Sequence, residues 1–314
     1  MKMLLAAAMI HLNLFLILIL TVHTALAVRS GIAQEHNRAR HQAPPGRAVI
    51  HDICVIEMDE YPNSIDDEFE KCHEQMYKKI TDKNPQQNLL EIELSRNANF
   101  SAAWNNAKHE LNLTNNDNYK LSNDKLREIA LRAYTRNEIY RQLNCKMRTG
   151  KETYKTDFGL ISLHFLITDG IQNLPKTCTI TYRTMDVPVI RTSRFVRFGS
   201  FGSSSHNPTL HFGRETCFII KTCHGADISN VSEIPAEAEV LIPPYEKFKS
   251  ERVLNIQKEF RNRYFPPIFC RCKYVYKLES AGTMSNMKCE LVGKTERKRF
   301  SFFKKLKKLF GRTT

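Results

Sequence analysis

Pro175 divides this sequence into two stretches with different hydrophobic periods. From about His51 to Thr184 the signal is mainly helical, with apolar residues recurring at three-and-four spacing. Ser122 or Asn123 can cap a helix that carries Leu126, Ile129, Ala130, Ala133 and Tyr134 on one side. A second helix is expected over roughly Tyr154 to Leu174, with Phe158, Ile161, Leu163, Phe165 and Leu166 apolar on so many sides that it should be buried. After Pro175 the pattern shortens to strands. The candidates are Cys178–Tyr182, Phe195–Phe198, Cys217–Thr222, Glu239–Ile242, Tyr274–Leu278 and Met287–Val292, with turn residues such as Gly199, Gly213, Gly225 and Pro243-Pro244 between them. Helices first and strands second predict one α+β domain.

The ends read differently from the body. Met1 to Ala27 has a secretory signal pattern: Lys2, an apolar run from Leu14 to Val22, and Ala25-Leu26-Ala27 at the cleavage positions. An uncleaved signal anchor is the alternative. Residues 28–50 form a basic linker containing Pro44-Pro45-Gly46, and residues 51–293 are expected to be the folded body. The net charge is +14, but residues 294–314 hold nine Lys/Arg against one Glu, so the tail alone supplies +8. The basic balance is therefore mostly terminal and does not mark a nucleic-acid-binding domain. In the tail, Phe303, Leu306, Leu309 and Phe310 share one side of a helix among lysines; it reads equally as a contact for anionic membrane or as a solvated tail. No small-residue site followed by a long apolar run is present there, so no GPI anchor is expected. Nine cysteines and three sequons, at Asn99, Asn112 and Asn230, agree with export and glycosylation. No C-x-x-C pair or His spacing suggests a metal.

Three local features carry candidate chemistry. Arg183 closes the first strand and can grip a phosphate, although a lone arginine there is more often a surface residue. Ser203-Ser204-Ser205 follow Phe201-Gly202 and match neither a nucleophile elbow nor a Walker A loop. Glu237-Ala238-Glu239 precede the apolar Val240-Leu241-Ile242; in extended backbone both acids would face one side. Paired carboxylates suit the cleavage of a glycosidic bond, where one stabilises an oxocarbenium-like sugar and the other handles the nucleophile. Two solvated acids at a strand start would look the same.

Taken in order, Arg183, the serines and Glu237-x-Glu239 resemble the signature of the vertebrate ecto-ADP-ribosyltransferases that modify arginine. Their fold is shared with bacterial ADP-ribosylating toxins. The flanks are similar too, from Pro62-Asn63-Ser64-Ile65-Asp66-Asp67 through Ile129 to Thr135 and Ser162 to Leu166 to Glu239-Val-Leu-Ile-Pro-Pro-Tyr-Glu246. The resemblance runs from about residue 52 to 292. It implies a helical part followed by a mainly antiparallel β core stapled by disulfides, here Cys178–Cys223 and Cys72–Cys289. Cys54, Cys145, Cys217, Cys270 and Cys272 are left unassigned.

The resemblance also implies a reaction. NAD⁺ would be the substrate, arginine-bearing extracellular proteins the acceptors, and no metal would take part. Arg183 would hold the dinucleotide, Ser203 would position Glu239, and Glu239 would stabilise positive charge as nicotinamide leaves. Glu237 would orient the acceptor guanidinium, while Tyr134 and Ser200 would line the NAD⁺ pocket. The alternatives are an NAD⁺ glycohydrolase or a catalytically silent secreted binding protein on the same scaffold. Thr184 stands where the family usually has glycine, and a side chain there is expected to crowd nicotinamide. The segment before Glu237, Ser232 to Ala236, lacks the aromatic residues often found in the family, which leaves the choice of target open; a glycan on Asn230 would stand near it.

Overall fold

The change of period at Pro175 is a change of layer. The computed structural model describes residues 56–114, 116–255 and 265–293, all within the second of two units, Cys54–Thr314. The expected signal peptide, linker and basic tail, together with Cys54, lie outside the described residues. Among the described residues six α-helices precede Pro175: α1 (His73–Ile80), α2 (Leu89–Arg96), α3 (Ala98–Glu110), α4 (Asn123–Tyr134), α5 (Tyr140–Thr149) and α6 (Ile161–Asn173). Around and after them run β1 (Glu57–Met58), β2 (Thr179–Met185), β3 (Ile190–Arg191), β4 (Phe195–Val196), β5 (Gly202–Ser205) and β6 (Thr216–Thr222). The remaining strands are β7 (Ala226–Asp227), β8 (Glu239–Ile242), β9 (Glu246–Arg252) and β10 (Tyr274–Thr283). Among the described residues no helix is long and apolar enough to cross a membrane.

The α4 helix starts as its sequence predicts, with the Ser122 hydroxyl accepting from the Lys125 amide. The helix expected from Tyr154 begins later, at Ile161. Residues 151–157 form turns, and Gly159 at φ +63° stops any helix from running through. Glu93 of α2 then takes the first amides of α6, from Ile161 at 2.6 Å and Ser162 at 2.8 Å. A buried carboxylate thus satisfies donors that the helix itself leaves open. As expected, α6 is buried through most of its length, packed against α4.

Among the described residues eight strands form one sheet in the order β4-β9-β10-β6-β2-β5-β8-β7, while β1 and β3 pair separately. All pairings in the large sheet are antiparallel except β10 with β6. The helical layer covers one apolar cluster with Trp104, Phe165 and Leu166, to which Phe201 and Leu241 of the β half contribute. A second cluster, with Phe218, Ile220, Phe248 and Tyr276, lies within the sheet half.

Met287–Val292 is not a strand. Its amides are captured by two buried acids: Met287 donates to Asp66 at 3.0 Å, Cys289 to Asp67 at 2.9 Å, and Glu290 to Asp67 at 2.8 Å. Backbone donors taken in this way cannot join a ladder. Asp66 also pairs with the fully buried Arg197 at 2.5 Å, and Arg197 donates to the carbonyls of Glu60, Tyr61 and Met284. One guanidinium therefore ties the start of the domain, the segment after β4 and the segment after β10.

Disulfides join Cys72 to Cys289 and Cys178 to Cys223. The second extends the β2–β6 register by one pair beyond Thr179 and Thr222. A third joins Cys217 of β6 to Cys272, two cysteines that the sequence left unassigned, and Cys145 is disulfide-bonded as well. The three sequon asparagines are exposed: Asn99 on α3, Asn112 in the loop after it, and Asn230 between β7 and the acids.

Candidate functional site

The strands that carry Arg183, the serines and Glu239 are neighbours, β2, β5 and β8. β5 and β8 are paired along their length, Ser203 opposite Leu241 and Ser205 opposite Glu239. β2 and β5 share a single register pair, Tyr182 with Ser205. Beyond that pair the Arg183 side chain donates to the Ser203 carbonyl. Its guanidinium also lies 5.9 Å from the centre of the Phe198 ring. Arg183 is thus inside β2 and turned toward the serine strand.

Glu239 opens β8 and is buried. Burial pushes its carboxyl up to about 7; the Ser203 hydroxyl bonded to it pulls the other way, Glu237 adds to the rise, and the Arg183 charge opposes it. Three signature residues, Arg183, Ser203 and Glu237, therefore act on the carboxylate of the fourth. Tyr134, the last residue of α4, brings the helical layer to the same place. Its hydroxyl lies 3.5 Å from Ser203 Oγ and accepts from Asn144 Nδ2 at 3.0 Å. Ser200 is buried, and its hydroxyl donates to the Phe201 carbonyl at 3.3 Å. It lines a small cleft with Tyr61, Arg148, Arg183 and Phe198.

The acids are set by a turn rather than by strand alternation. Glu237 ends a short 3-10 turn, Pro235–Glu237, and Ala238 sits at φ +45° before β8 begins. The extended-backbone argument for the pair fails there, because a left-handed residue between them breaks the two-residue repeat. Glu237 reaches the site by another route. Its carbonyl accepts from Ser205 Oγ at 2.6 Å, and the His206 amide donates to the Ala238 carbonyl at 3.0 Å.

Thr184 does not crowd this cleft. In the β2–β6 register Arg183 is opposite Phe218 and Thr184 opposite Cys217, so the two side chains leave opposite faces of the sheet. The Thr184 hydroxyl accepts from the Phe212 amide at 2.6 Å.

Arg148 is a site residue that the sequence pattern did not single out. It lies near the end of α5, its charge opposes that of Arg183, and it hydrogen-bonds Tyr61. Burial lowers the pKa of both arginines, and the Nε atom of each is buried without a hydrogen-bond partner. Two guanidiniums that repel each other and keep buried donors unsatisfied fit an anion with several oxygens, such as a diphosphate. The available signal was spacing: Asn144 and Arg148 are one turn apart on a helix whose Leu143 and Met147 face the core.

Comparison with known proteins agrees with this geometry. The family described as NAD:arginine ADP-ribosyltransferase matches residues 58–262. A chicken NAD(P)(+)--arginine ADP-ribosyltransferase 2 is 33% identical over 256 residues, covering 76% of this chain and 74% of the relative. A mouse T-cell ecto-ADP-ribosyltransferase 1 is 34% identical over 215 residues, covering 64% of this chain and 70% of its own. Among solved structures, a mutant of the eukaryotic mono-ADP-ribosyltransferase ART2.2 in complex with NADH superposes with a TM-score of 0.59 at 28% identity, covering 74% of this chain and 98% of that one. With 205 of 314 residues inside the family match and the signature residues gathered at one carboxylate, the chain belongs to the NAD:arginine ADP-ribosyltransferase family.

Proposed function

We propose that this protein transfers ADP-ribose from NAD⁺ to arginine side chains of extracellular proteins and releases nicotinamide. The observation that carries the reading is the convergence of Arg183, Ser203, Glu237 and Tyr134 on the buried Glu239. The names of the relatives, arginine ADP-ribosyltransferases and ecto-ADP-ribosyltransferases, support both the acceptor class and the outward-facing location.

The roles follow from charge and position. Arg183 and Arg148 hold the diphosphate, where their buried Nε atoms find acceptors. Tyr134 and Ser200 line the pocket. Ser203 holds the Glu239 carboxylate in place. Glu239, when ionised, faces the ribose as the bond from its anomeric carbon to the nicotinamide nitrogen breaks. The bonding pair stays with nicotinamide, and a fixed carboxylate stabilises the positive charge left on the sugar. A guanidinium nitrogen then bonds to the anomeric carbon and must lose a proton. Arginine holds its proton up to a pKa above about 12, so a nearby base is needed, and Glu237 supplies it. The Thr184 side chain, turned to the Phe212 amide, leaves no steric argument for a silent scaffold.

The test uses labelled NAD⁺ with agmatine as a small guanidine acceptor. Label transfer that disappears in Glu239→Gln supports the reading. Nicotinamide release that persists in Glu237→Gln while transfer is lost assigns the acceptor role. No turnover of NAD⁺ by the wild-type protein overturns it.

A further inference from the structure

Three consecutive residues at the end of α4 reach the site from two directions. Tyr134 contacts the serine strand through Ser203. Thr135 Oγ1 accepts from the Glu233 amide at 3.0 Å, and Arg136 Nη1 lies 3.3 Å from the Glu233 carboxylate. Arg136 is itself anchored in the helical layer by Glu110 of α3 and by Glu138.

Glu233 is the joint of the segment that delivers Glu237. Before it, the amides of Val231 and Ser232 close a turn on the Ile228 carbonyl. After it, Glu237 donates to Ile234 and Ala238 donates to Pro235 in a second turn. Ile234, Pro235 and Ala236 are exposed at the tip of that second turn. The second turn is thus held at two ends, by Glu233 with the Ser232 hydroxyl that accepts from the Ile234 amide at 3.2 Å, and by Ser205 Oγ on the Glu237 carbonyl at 2.6 Å; loosening Glu233 releases the first end and leaves Glu237 with the second alone. Glu239 is held independently, by the β5–β8 ladder and by Ser203.

We propose that Thr135 and Arg136 are positioning residues that pin Glu233, set Glu237 for a guanidinium acceptor, and so decide how the reaction partitions between arginine and water. The inference rests on the transfer reaction proposed above and names what governs its acceptor step. In both branches the bond from the anomeric carbon to nicotinamide breaks, and its electron pair leaves with nicotinamide. In one branch the new bond is to a guanidinium nitrogen, whose proton passes to Glu237 and then to solvent. In the other it is to a water oxygen, and the products are ADP-ribose and a proton. Only the first branch needs Glu237 in register with a bulky cationic acceptor, so loosening the joint favours water.

The experiment compares the full-length wild-type protein with Arg136→Ala, Glu233→Gln, Thr135→Val and Arg136→Lys. Nicotinamide release without acceptor is measured beside the KM and kcat for agmatine, together with amide hydrogen exchange across residues 229–238. Arg136→Ala and Glu233→Gln should keep water hydrolysis within about twofold while transfer to agmatine falls roughly tenfold or more, because small misplacements of a reacting group are costly. Arg136→Lys should recover part of the transfer. Exchange at 234–238 should quicken in the Ala variant while the β8 amides stay protected. Transfer and hydrolysis falling in parallel, or a partition ratio that does not move, overturns the proposal. If the wild type turns over no NAD⁺, the transfer reading falls and the partition role with it; exchange then decides the pin alone, and unchanged exchange at 234–238 overturns that as well.

Discussion

Ser205 hydrogen-bonds the carbonyl of Glu237 at 2.6 Å, although its partner across the β5–β8 register is Glu239. Its hydroxyl is thereby committed to the turn before β8, and Ser203, a diagonal neighbour across the same pair of strands, reaches the Glu239 carboxylate. The two serines should therefore fail differently. Ser203→Ala removes a bond that favours ionised Glu239 and should move the acid limb of the pH–activity profile upward from about 7. Ser205→Ala should leave that limb in place and reduce transfer to agmatine more than nicotinamide release. A pH series of both activities checks this.

In the proposed reaction Glu239 acts as an anion, and burial pushes its carboxyl up to about 7. Nicotinamide release at low NAD⁺ concentration should therefore rise with pH through about 7 and level off above it. Glu239→Gln should lack this limb and be slower by roughly 10²–10³-fold, the usual loss when one preorganised electrostatic group is removed.

Two buried groups give stability opposing pH dependences. His164 is enclosed by Phe69, Phe158 and Phe201, both ring nitrogens lack partners, and burial lowers its pKa to about 3. The unfolded chain takes up that proton first, so stability is lost as pH falls from about 6.5 towards 3. Glu239 has the opposite sign: its raised pKa means stability present below its ordinary value near 4.5 is lost as pH rises to about 7. In urea unfolding, His164→Leu should gain about 2–3 kcal/mol over wild type on going from pH 7.5 to 4.5. Glu239→Gln should gain about 3 kcal/mol over wild type on going from pH 4 to 8.

Arg197 and Asp66 form a fully buried ion pair at 2.5 Å. Arg197→Met leaves Asp66 charged without its guanidinium and three carbonyls without their donor, and should cost about 3–5 kcal/mol in denaturant unfolding. Adding Asp66→Asn should return part of that loss, because the uncompensated charge is then gone.

Gly199 stands at φ +65°, and a Cβ there would meet the Tyr61 ring at 2.4 Å. Gly199→Ala should cost about 1–2 kcal/mol from the backbone alone. Tyr61 is also hydrogen-bonded to Arg148, so displacing its ring should raise the KM for NAD⁺ more than it lowers kcat. Steady-state kinetics at fixed acceptor checks the split.

Where local chemistry decided the structure, the sequence could be read. The Ser122 cap and the apolar run Val240-Leu241-Ile242 place α4 and β8 where the pattern predicts them. Readings failed where a distant acid took over the backbone. Asp66 and Asp67 draw the amides of Asn286, Met287, Cys289 and Glu290 out of any ladder, and Glu93 sets the start of α6 from 68 residues away. The strand β9 was hidden because Glu246-Lys247-Phe248-Lys249-Ser250-Glu251-Arg252 reads as solvated. Yet Glu246 is buried and accepts from Thr222, Cys223 and Ser280. At the site, the order of Arg183, serines and acids was legible as a motif. The turn at Ala238 and the approach of Arg148 were not, because each depends on how separate elements meet.

The strand order β4-β9-β10-β6-β2-β5-β8-β7 places the last of the described strands in the chain between two earlier ones. Until Tyr274–Thr283 leaves the ribosome, β9 and β6 have no strand to join them, and the β4–β9 pair is an orphan edge beside the half that carries Arg183 and Glu239. Completion of the sheet, and closure of Cys72 onto Cys289 just beyond it, must therefore wait until residues 274–289 have been made. Shortened translation products ending before residue 274 should be recognised as incomplete by any machinery that senses unpaired β edges.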